Sequence, residues 1–157
     1  MYTHQYGFIK RKFTLDAIVR LKTIVGECRD KKVIGIFVDI KGAFDRVWWL
    51  DVLNGLRHTR CPPNLYKLIT SYLFIRKVTI IDRTVQITRQ QNRGCPQGSV
   101  LGPTFWNLVF DSLLEKLSNT ELCHPTVYAD DLTILITGNS RNQIEASSRR
   151  AVQLLDE

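Results

Sequence analysis

The sequence predicts an α+β domain in which helices cover one face of a small, mainly antiparallel sheet. Apolar residues recur at helical spacing in several segments, and strand-like runs occur in pairs around polar turns. Helical and strand-like segments follow one another without linkers or repeats. The 157 residues are 44% hydrophobic and 24% charged, a composition typical of one globular domain with a real core.

The first part of the chain predicts two helices separated by a strand. Thr14 is expected to cap a helix that ends near Gly26 or Cys28 and has apolar positions at Leu15, Ile18, Leu21, Ile24 and Val25. Val33–Asp39 is apolar except for its last residue, which predicts a buried strand with a carboxylate at its end. A second helix is expected over Trp48–Leu56.

The middle of the chain predicts a helix, a hairpin, a loop and another helix. Pro62-Pro63 is expected to start the third helix. Val78–Ile81 and Thr84–Thr88 then flank Asp82-Arg83 as a hairpin. Gly94–Pro103 is a loop rich in Gly and Pro, and the helix after it has apolar residues at Trp106, Leu108, Val109, Leu113, Leu114 and Leu117.

Two adjacent acids mark a second hairpin. Tyr128-Ala129-Asp130-Asp131 lies between the apolar runs Thr126-Val127 and Leu132–Ile136, so its carboxylates are expected where the hairpin turns. Gly138-Asn139-Ser140 separates this hairpin from a last helix, which bears Ile144, Ala151, Val152 and Leu155.

The acidic hairpin predicts a metal site. Adjacent carboxylates repel one another unless a cation neutralises them, and all-oxygen ligands suit a hard divalent ion such as Mg²⁺. If the strand that ends at Asp39 is a neighbour, then Asp39, Asp130 and Asp131 converge. Such a group can hold two cations roughly 4 Å apart for phosphoryl transfer. The alternative is that the acids form only a polar turn.

Charge and cysteine usage limit the partners and the compartment. Lys and Arg number 22 against 15 Asp and Glu, and the net charge of +7 favours polyanions such as nucleic acid. Cys28, Cys61, Cys95 and Cys123 stand far apart, which argues against a zinc site or a disulfide scaffold and favours a reducing compartment. No segment approaches ~20 apolar residues, and the start lacks the apolar core of a signal peptide. We therefore expect an intracellular protein that is not secreted and has no membrane partner.

Three ordered segments carry a family resemblance. Phe37–Asp45, Arg93–Pro103 and Tyr128–Asp131 resemble motifs A, B and C of reverse transcriptases. The wider text, including Gly42–Trp49 and Trp106–Asp111, is similar to non-LTR, LINE-like retrotransposons of the R-one clade, and the resemblance covers almost the whole chain. It implies the palm and inner fingers of a right-hand polymerase, with RNA-directed DNA polymerase activity on an RNA template, a DNA primer and dNTPs. Two Mg²⁺ ions are the implied cofactor, with Mn²⁺ as a substitute.

The resemblance also assigns roles around the metal and the nucleotide. Asp39 and Asp130 would bind both ions, with Asp131 completing the triad and the Ile40 backbone as a further ligand. The remaining assigned positions would contact the nucleotide: the amides of Gly42 and Ala43 near the triphosphate, Phe44 as a gate against the ribose 2′-hydroxyl, and Gln97 and Gly98 in the motif B loop. The alternatives are core packing for Phe44 and an ordinary turn for the loop.

Basic residues are candidates for phosphate contacts, with Tyr128 nearby as a stacking group. These basic residues are Lys10, Arg11, Lys12, Arg76, Lys77, Arg89, Arg93, Arg149 and Arg150. The alternative for each is a solvated face. Asp45 and Asp111 lie outside the metal positions and are expected at the surface or at helix caps. Trp48, Trp49 and Trp106 are predicted to be core residues.

The resemblance divides the chain into an inner fingers segment, residues 1–32, and a mostly palm segment, residues 33–157. In the first segment Ile9, Arg11 and Phe13 replace the Arg, Gly and Ser of the family pattern Gly-Phe-Arg-x-Gly-Arg-Ser-Thr. The outer fingers are expected to precede Met1, and motif D, the primer grip and the thumb to follow Glu157. The predicted protein is therefore a reverse transcriptase fragment. We expect it in the nucleus or in a cytoplasmic ribonucleoprotein.

Two other functions stay open. The basic charge also fits a catalytically inactive nucleic-acid-binding remnant. A metal-dependent nucleotidyl cyclase could use Asp39 and an acidic hairpin as well, but the Pro96-Gln97-Gly98 loop and the Phe44 position disfavour it. The sequence does not predict an oligomeric state.

Overall fold

The structure is a computed structural model that describes residues 3–96 and 98–156. The elements in chain order are α1 (Thr14–Glu27), β1 (Lys32–Asp39), α2 (Ala43–Arg46), α3 (Trp49–His58), α4 (Pro63–Phe74), β2 (Lys77–Asp82), β3 (Val85–Gln90), α5 (Gly102–Ser118), β4 (Cys123–Tyr128), β5 (Asp131–Gly138) and α6 (Arg141–Asp156). They form two compact units, one from Met1–Lys41 with Phe110–Glu157 and the other from Gly42–Val109. The mixed helix-and-sheet architecture predicted from the sequence is confirmed.

The first unit is built on an antiparallel sheet with the strand order β1-β5-β4. Leu132, Ile134 and Ile136 of β5 are fully buried, because alternate residues of a strand share one face. Helix α6 contacts β5 and β1 and adds its buried Ile144 to the core. Burial of each such side chain contributes about 1.5–3 kcal/mol, so the middle strand is anchored most strongly.

The segment before α1 lies beside β4. Gln5 forms a parallel bridge with Val127, the Tyr6 N–H donates to the Val127 carbonyl at 2.8 Å, and the Val127 N–H donates to the His4 carbonyl at 3.1 Å. Periodicity did not predict this pairing, since a single bridge has no repeating pattern. It extends the sheet beyond the edge of β4.

Helix α1 has the predicted length but a different cap and a different buried face. Phe13 is the N-cap residue, and its N–H donates to the Asp16 carboxylate at 2.7 Å, so the predicted Thr14 cap is wrong. Ala17 and Ile24 are the buried residues of this helix. Leu15, Ile18 and Val25, three members of the predicted apolar stripe, are exposed instead.

The second unit packs α3 and α4 around buried Val52, Leu53, Leu56 and Leu73. Trp49 is buried as predicted, and its indole N–H donates to the Gly94 carbonyl at 2.9 Å. Trp106 is buried too. The core prediction for Trp48 is wrong: its side chain is 48% exposed and its ring lies 5.5 Å from the guanidinium of Arg93. Trp48 is the N-cap residue of α3, so its side chain does not belong to the apolar face of that helix.

Strands β2 and β3 form a separate two-stranded sheet with every residue exposed. Asp82 pairs with Val85, so the turn residues are Arg83 and Thr84 rather than the predicted Asp82 and Arg83. Arg83 has a φ of 48°, as the first loop residue of a tight hairpin often requires. An isolated hairpin of this kind has little burial to stabilise it.

The compact units are defined by contacts, whereas the predicted inner fingers segment, residues 1–32, and palm segment, residues 33–157, are defined by motifs. The two divisions of the chain therefore have different boundaries. The division by motifs stays a prediction. No described helix has the length and apolarity that a membrane crossing requires.

The four cysteines are free, and two of them are predicted to react slowly with alkylating reagents. Burial raises the pKa of Cys95 and of Cys123 from 9.0 to about 11. At pH 8 their thiolate fraction, and with it their alkylation rate, is expected to fall about a hundredfold below that of an ordinary thiol. Cys28 and Cys61, which are partly exposed, should be alkylated first.

Peptide mass spectrometry after timed iodoacetamide treatment measures the four alkylation rates. The same treatment in denaturant is the control and should make the rates similar. Equal rates in the native protein would contradict the burial of Cys95 and Cys123.

Candidate active site

The acid positions predicted to converge lie in the first unit, two of them directly opposite one another. In the antiparallel pair of β1 and β5, Asp39 is the register partner of Asp131. Register partners have Cβ atoms about 5 Å apart and project to the same face of the sheet. The predicted neighbour relation of the Asp39 strand and the acidic hairpin is therefore confirmed.

Asp130 belongs to the two-residue turn of the acidic hairpin. Tyr128 pairs with Asp131, which leaves Ala129 and Asp130 as the loop. Ala129 has a φ of 58°, a conformation that costs a non-glycine residue roughly 1 kcal/mol. Positive φ at the first loop residue matches the twist of the flanking strands. The hairpin thus holds one acid in its turn and the next at the start of a strand.

The segment before α1 packs closely against the backbone of this turn. A Cβ built on Gly7 would lie 2.0 Å from the backbone nitrogen of Ala129 and 2.6 Å from its Cα. Only a glycine permits such a close approach of two backbones. The hydrogen bonds between Tyr6 and Val127 hold the segment at that distance. Gly7 therefore fixes where the turn bearing Asp130 can lie.

The face that carries Asp39 and Asp131 is open on one side only. Near β4 it is covered by α1, where the Arg20 guanidinium donates to the Thr126 hydroxyl at 3.2 Å. On the β1 side, Phe37 is 77% exposed, and Asp39 and Asp131 are exposed as well. The accessible part of this face is therefore its β1 side.

The side chains fit a hard divalent cation by their chemistry. Asp39 and Asp131 are like charges at opposed positions, which is unfavourable unless a cation lies between them, and carboxylates are the ligands that Mg²⁺ prefers. Within residues 3–96 and 98–156, no three His, Cys, Asp or Glu side chains are gathered as a metal-binding group. The convergence of all three carboxylates, and a role for the Ile40 backbone, stay predictions.

The second unit holds the residues assigned to the nucleotide, and its backbone joins motif A to motif B. The Cys95 N–H donates to the Phe44 carbonyl at 2.8 Å, and the Gly94 N–H donates to the Val47 carbonyl at 2.8 Å. A Cβ on Gly94 would lie 2.9 Å from the Asp45 carbonyl oxygen, so this crossing needs glycine. The ring of Phe44, which is half-buried, lies 6.0 Å from the ring of Trp106.

Glycines with positive φ occur at both nucleotide-contact segments. Gly42 has a φ of 67°, and its carbonyl accepts hydrogen bonds from the N–H groups of Asp45 and Arg46, while Ala43 is buried. Gly98 has a φ of 81° and open space where a side chain would project. Gln97 lies outside the described residues. The nucleotide roles of these positions stay predictions.

The candidate phosphate-contact residues differ in their surroundings. Lys10, Arg11 and Lys77 are exposed. The Lys12 ammonium donates to the carbonyls of Thr3 and Gln5 and lies 4.8 Å from the centre of the Tyr6 ring. These contacts stabilise the segment before α1. Burial lowers the pKa of Lys12. Tyr128, 36% exposed, shares the face of Asp131.

Arg11, which replaces a glycine of the family pattern, has a φ of 66°. That backbone position favours glycine, which explains the residue type in the pattern. The sequence patterns assign no role to Gly7, although its place in the Tyr6-Gly7-Phe8 segment, which resembles the family, was the available signal. Its close approach to Ala129 becomes visible only in three dimensions.

Comparisons with known proteins identify the family of this chain. The family model described as Reverse transcriptase (RNA-dependent DNA polymerase) matches residues 1–156. The chain is 35% identical over 152 residues to the putative 115 kDa protein in type-1 retrotransposable element R1DM of Drosophila melanogaster, covering 97% of this chain and 14% of that protein. It is 38% identical over 155 residues to the Retrovirus-related Pol polyprotein from type-1 retrotransposable element R1 of Bradysia coprophila, covering 98% and 15%.

A more distant relative is the RNA-directed DNA polymerase from mobile element jockey of Drosophila melanogaster, 32% identical over 143 residues, with 87% of this chain and 16% of that protein covered. Among solved structures, a partial Cas6-RT-Cas1--Cas2 complex aligns with a TM-score of 0.41 at 23% identity, covering 88% of this chain and 22% of that one. The chain thus spans about one seventh of the length of the R1 relatives. Members of the family act with divalent metal ions on a nucleic-acid template and primer. With a family match over nearly its whole length, the chain belongs to the reverse transcriptase family.

Proposed function

We propose that this chain carries the catalytic centre of an RNA-directed DNA polymerase, which extends a DNA primer on an RNA template with dNTPs. The observation that carries the proposal is the register pairing of Asp39 with Asp131 beside the turn that holds Asp130. Family membership supports the reaction class. The R1 and jockey relatives support an origin in a non-LTR element. The protein would then act in the nucleus or in a cytoplasmic ribonucleoprotein.

The three carboxylates would hold two Mg²⁺ ions, with Mn²⁺ as a substitute and the Ile40 carbonyl as a further ligand. Bound ions would neutralise the phosphates and lower the barrier for attack by the primer 3′-hydroxyl on the α-phosphorus. Asp39 and Asp131 project from paired strand positions to the same face of a rigid sheet. Their spacing is set by backbone hydrogen bonds, so little reorganisation is needed when charge develops.

The second unit would position the nucleotide. Backbone N–H groups around a left-handed residue such as Gly42 form a concavity suited to anions, which supports a triphosphate contact by Gly42 and Ala43. Phe44 is held by the Cys95 hydrogen bond and by Trp106, so its ring has a defined place as a gate. Gln97 and Gly98 would contact the base pair from the motif B loop.

Phe44→Ala is expected to weaken discrimination against ribonucleotides by about 10- to 100-fold, because a missing ring leaves room for a 2′-hydroxyl. The ratio of kcat/KM for dNTP and rNTP incorporation measures this effect. Phe74→Ala is a matched control, since its ring is partly exposed at the end of α4, outside the assigned nucleotide positions, and should leave the ratio unchanged. If Phe44→Ala discriminates against ribonucleotides as strongly as the unmodified chain, the role of the ring is core packing.

Primer extension on an RNA template with dNTPs and Mg²⁺ tests the activity itself. The assay should use this chain and a longer chain in which the neighbouring segments of an R1 relative flank it. Template-dependent incorporation supports the proposal. Salt-sensitive RNA binding by both chains without incorporation would favour the inactive binding remnant. A cyclic nucleotide formed from ATP or GTP, with no polymer, would favour the cyclase.

A further inference from the structure

The base of the β2–β3 hairpin forms a groove that the polymerase chemistry does not use. A cavity of about 380 Å³ is lined by Arg76, Arg93, Asp45 and Cys95, among others. A second cavity of about 520 Å³ shares Asp45 and Arg93 with it and continues along the hairpin past Ile87. Both volumes lie in the range of ligand-binding clefts. We call this continuous surface of the second unit the hairpin groove.

Arginines are concentrated at one end of the hairpin groove. The guanidinium of Arg76 lies 5.5 Å from the Tyr72 ring, and that of Arg93 lies 5.5 Å from the Trp48 ring. Stacking on aromatic rings orders a guanidinium before any ligand arrives. Arg89 lines the neighbouring cavity. The described lining of the hairpin groove thus includes three arginines, Arg76, Arg89 and Arg93, and one carboxylate, that of Asp45.

One of these guanidiniums lacks an acceptor. In the part of the chain that the structure describes, Nη1 of Arg76 is enclosed and makes no hydrogen bond. A buried charged donor without a partner is unfavourable. Because Arg76 also lines the groove, anionic oxygens bound there would stabilise the charge of its guanidinium. Phosphate fits, because its oxygens accept from forked guanidinium donors.

The other end of the hairpin groove is apolar. Val78 and Ile80 lie on the same face of the hairpin as Ile87 and Arg89, because Ile80 pairs with Ile87 and Val78 with Arg89. Ile80 is 66% exposed and Ile87 is 52% exposed. An exposed apolar wall next to arginines fits a ligand that is apolar on one side and phosphorylated on the other.

We propose that the hairpin groove binds single-stranded nucleic acid, with phosphates on Arg76 and Arg93 and bases against Ile80 and Ile87. A duplex hides its base faces and would gain nothing from the apolar wall, whereas an unpaired strand exposes them. The inference rests on the nucleic-acid partner of the proposed function and adds a separate site for it. RNA and DNA share the required chemistry.

Fluorescence anisotropy of labelled single-stranded RNA and DNA of about 12 nucleotides tests the site in the whole chain. Arg93→Gln is expected to weaken binding about 5- to 10-fold and to reduce the slope of log affinity against log salt by about 0.7. Arg83→Gln is the matched control, since Arg83 lies in the hairpin turn outside the groove. Asp45→Asn should strengthen binding, because it removes the one opposing charge.

A second pair of variants tests the apolar wall. Ile87→Ser should weaken binding severalfold without changing the salt slope, whereas Ile81→Ser, on the opposite face of the hairpin, should have no effect. Equal affinities for Arg93→Gln and Arg83→Gln, or no binding by the unmodified chain, would overturn the proposal. Asp130→Asn tests the polymerase centre by nucleotide incorporation, whereas the affinity ratio of Arg93→Gln to Arg83→Gln tests the groove, so the two proposals fail separately.

Discussion

Replacing Asp130 with Asn is expected to lower RNA-templated DNA synthesis at least about a hundredfold, since it removes a negative charge from the cation-binding group at the acidic turn. The substitution conserves the size of the side chain and leaves the strands on either side intact. Single-turnover primer extension at saturating dNTP measures the chemical step. The effect should appear in kcat rather than mainly in KM.

Asp51→Asn is the matched control for this loss. Asp51 lies exposed in the first turn of α3, so the same chemical change there should alter the rate little and the stability by a few tenths of a kcal/mol. Equal incorporation by Asp130→Asn and the unmodified chain would contradict a catalytic role for the acidic turn.

Gly7→Ala is expected to destabilise the protein by about 2–3 kcal/mol. The new Cβ would meet backbone atoms of Ala129, which cannot rotate away as a flexible side chain can, so the segment and the turn must separate. The hydrogen bonds between Tyr6 and Val127 would be strained in the same movement. Urea unfolding measures the change in the free energy of unfolding.

Gly26→Ala provides the comparison, because a Cβ at Gly26 in α1 meets no atom within 4 Å. Alanine is a better helix former than glycine, so this variant should gain up to about 1 kcal/mol. In Gly7→Ala the amide resonances of Ala129 and Asp130 should also shift. Equal stability of the two variants would show that the turn does not depend on the segment before α1.

The parts of the fold that sequence could predict are those with repeated patterns. The presence of helix α4 and strand β1 follows from apolar spacing and from the proline at the start of the helix. The predicted burial of β1 is wrong, because each of its residues is exposed or only partly buried. The acidic hairpin follows from two apolar runs around a polar turn. Helix α2, with four residues, is too short for a period to appear, and the sequence did not predict it.

Sequence patterns also predict only part of the candidate site. Local patterns indicated a strand that ends at Asp39 and a turn beside Asp131, whereas the pairing of the two strands followed only from the resemblance to motifs A and C. The support of the turn by Gly7 and the exposure of Trp48 depend on residues distant in the chain. Neither has a local signature, since an isolated Gly or Trp fits many environments. Long-range packing therefore accounts for what the sequence left out.

The proposed polymerase centre requires a divalent cation shared by the acids at the end of β1 and at the acidic turn. Mn²⁺ titration monitored by NMR tests this directly, because a bound paramagnetic ion broadens the resonances of nearby nuclei and requires no catalytic activity. We predict selective loss of the amide signals of Asp39, Ile40, Asp130 and Asp131, reversed by excess Mg²⁺ and absent in Asp39→Asn. Broadening centred elsewhere, or the same broadening in Asp39→Asn, would contradict a polymerase metal centre at this position.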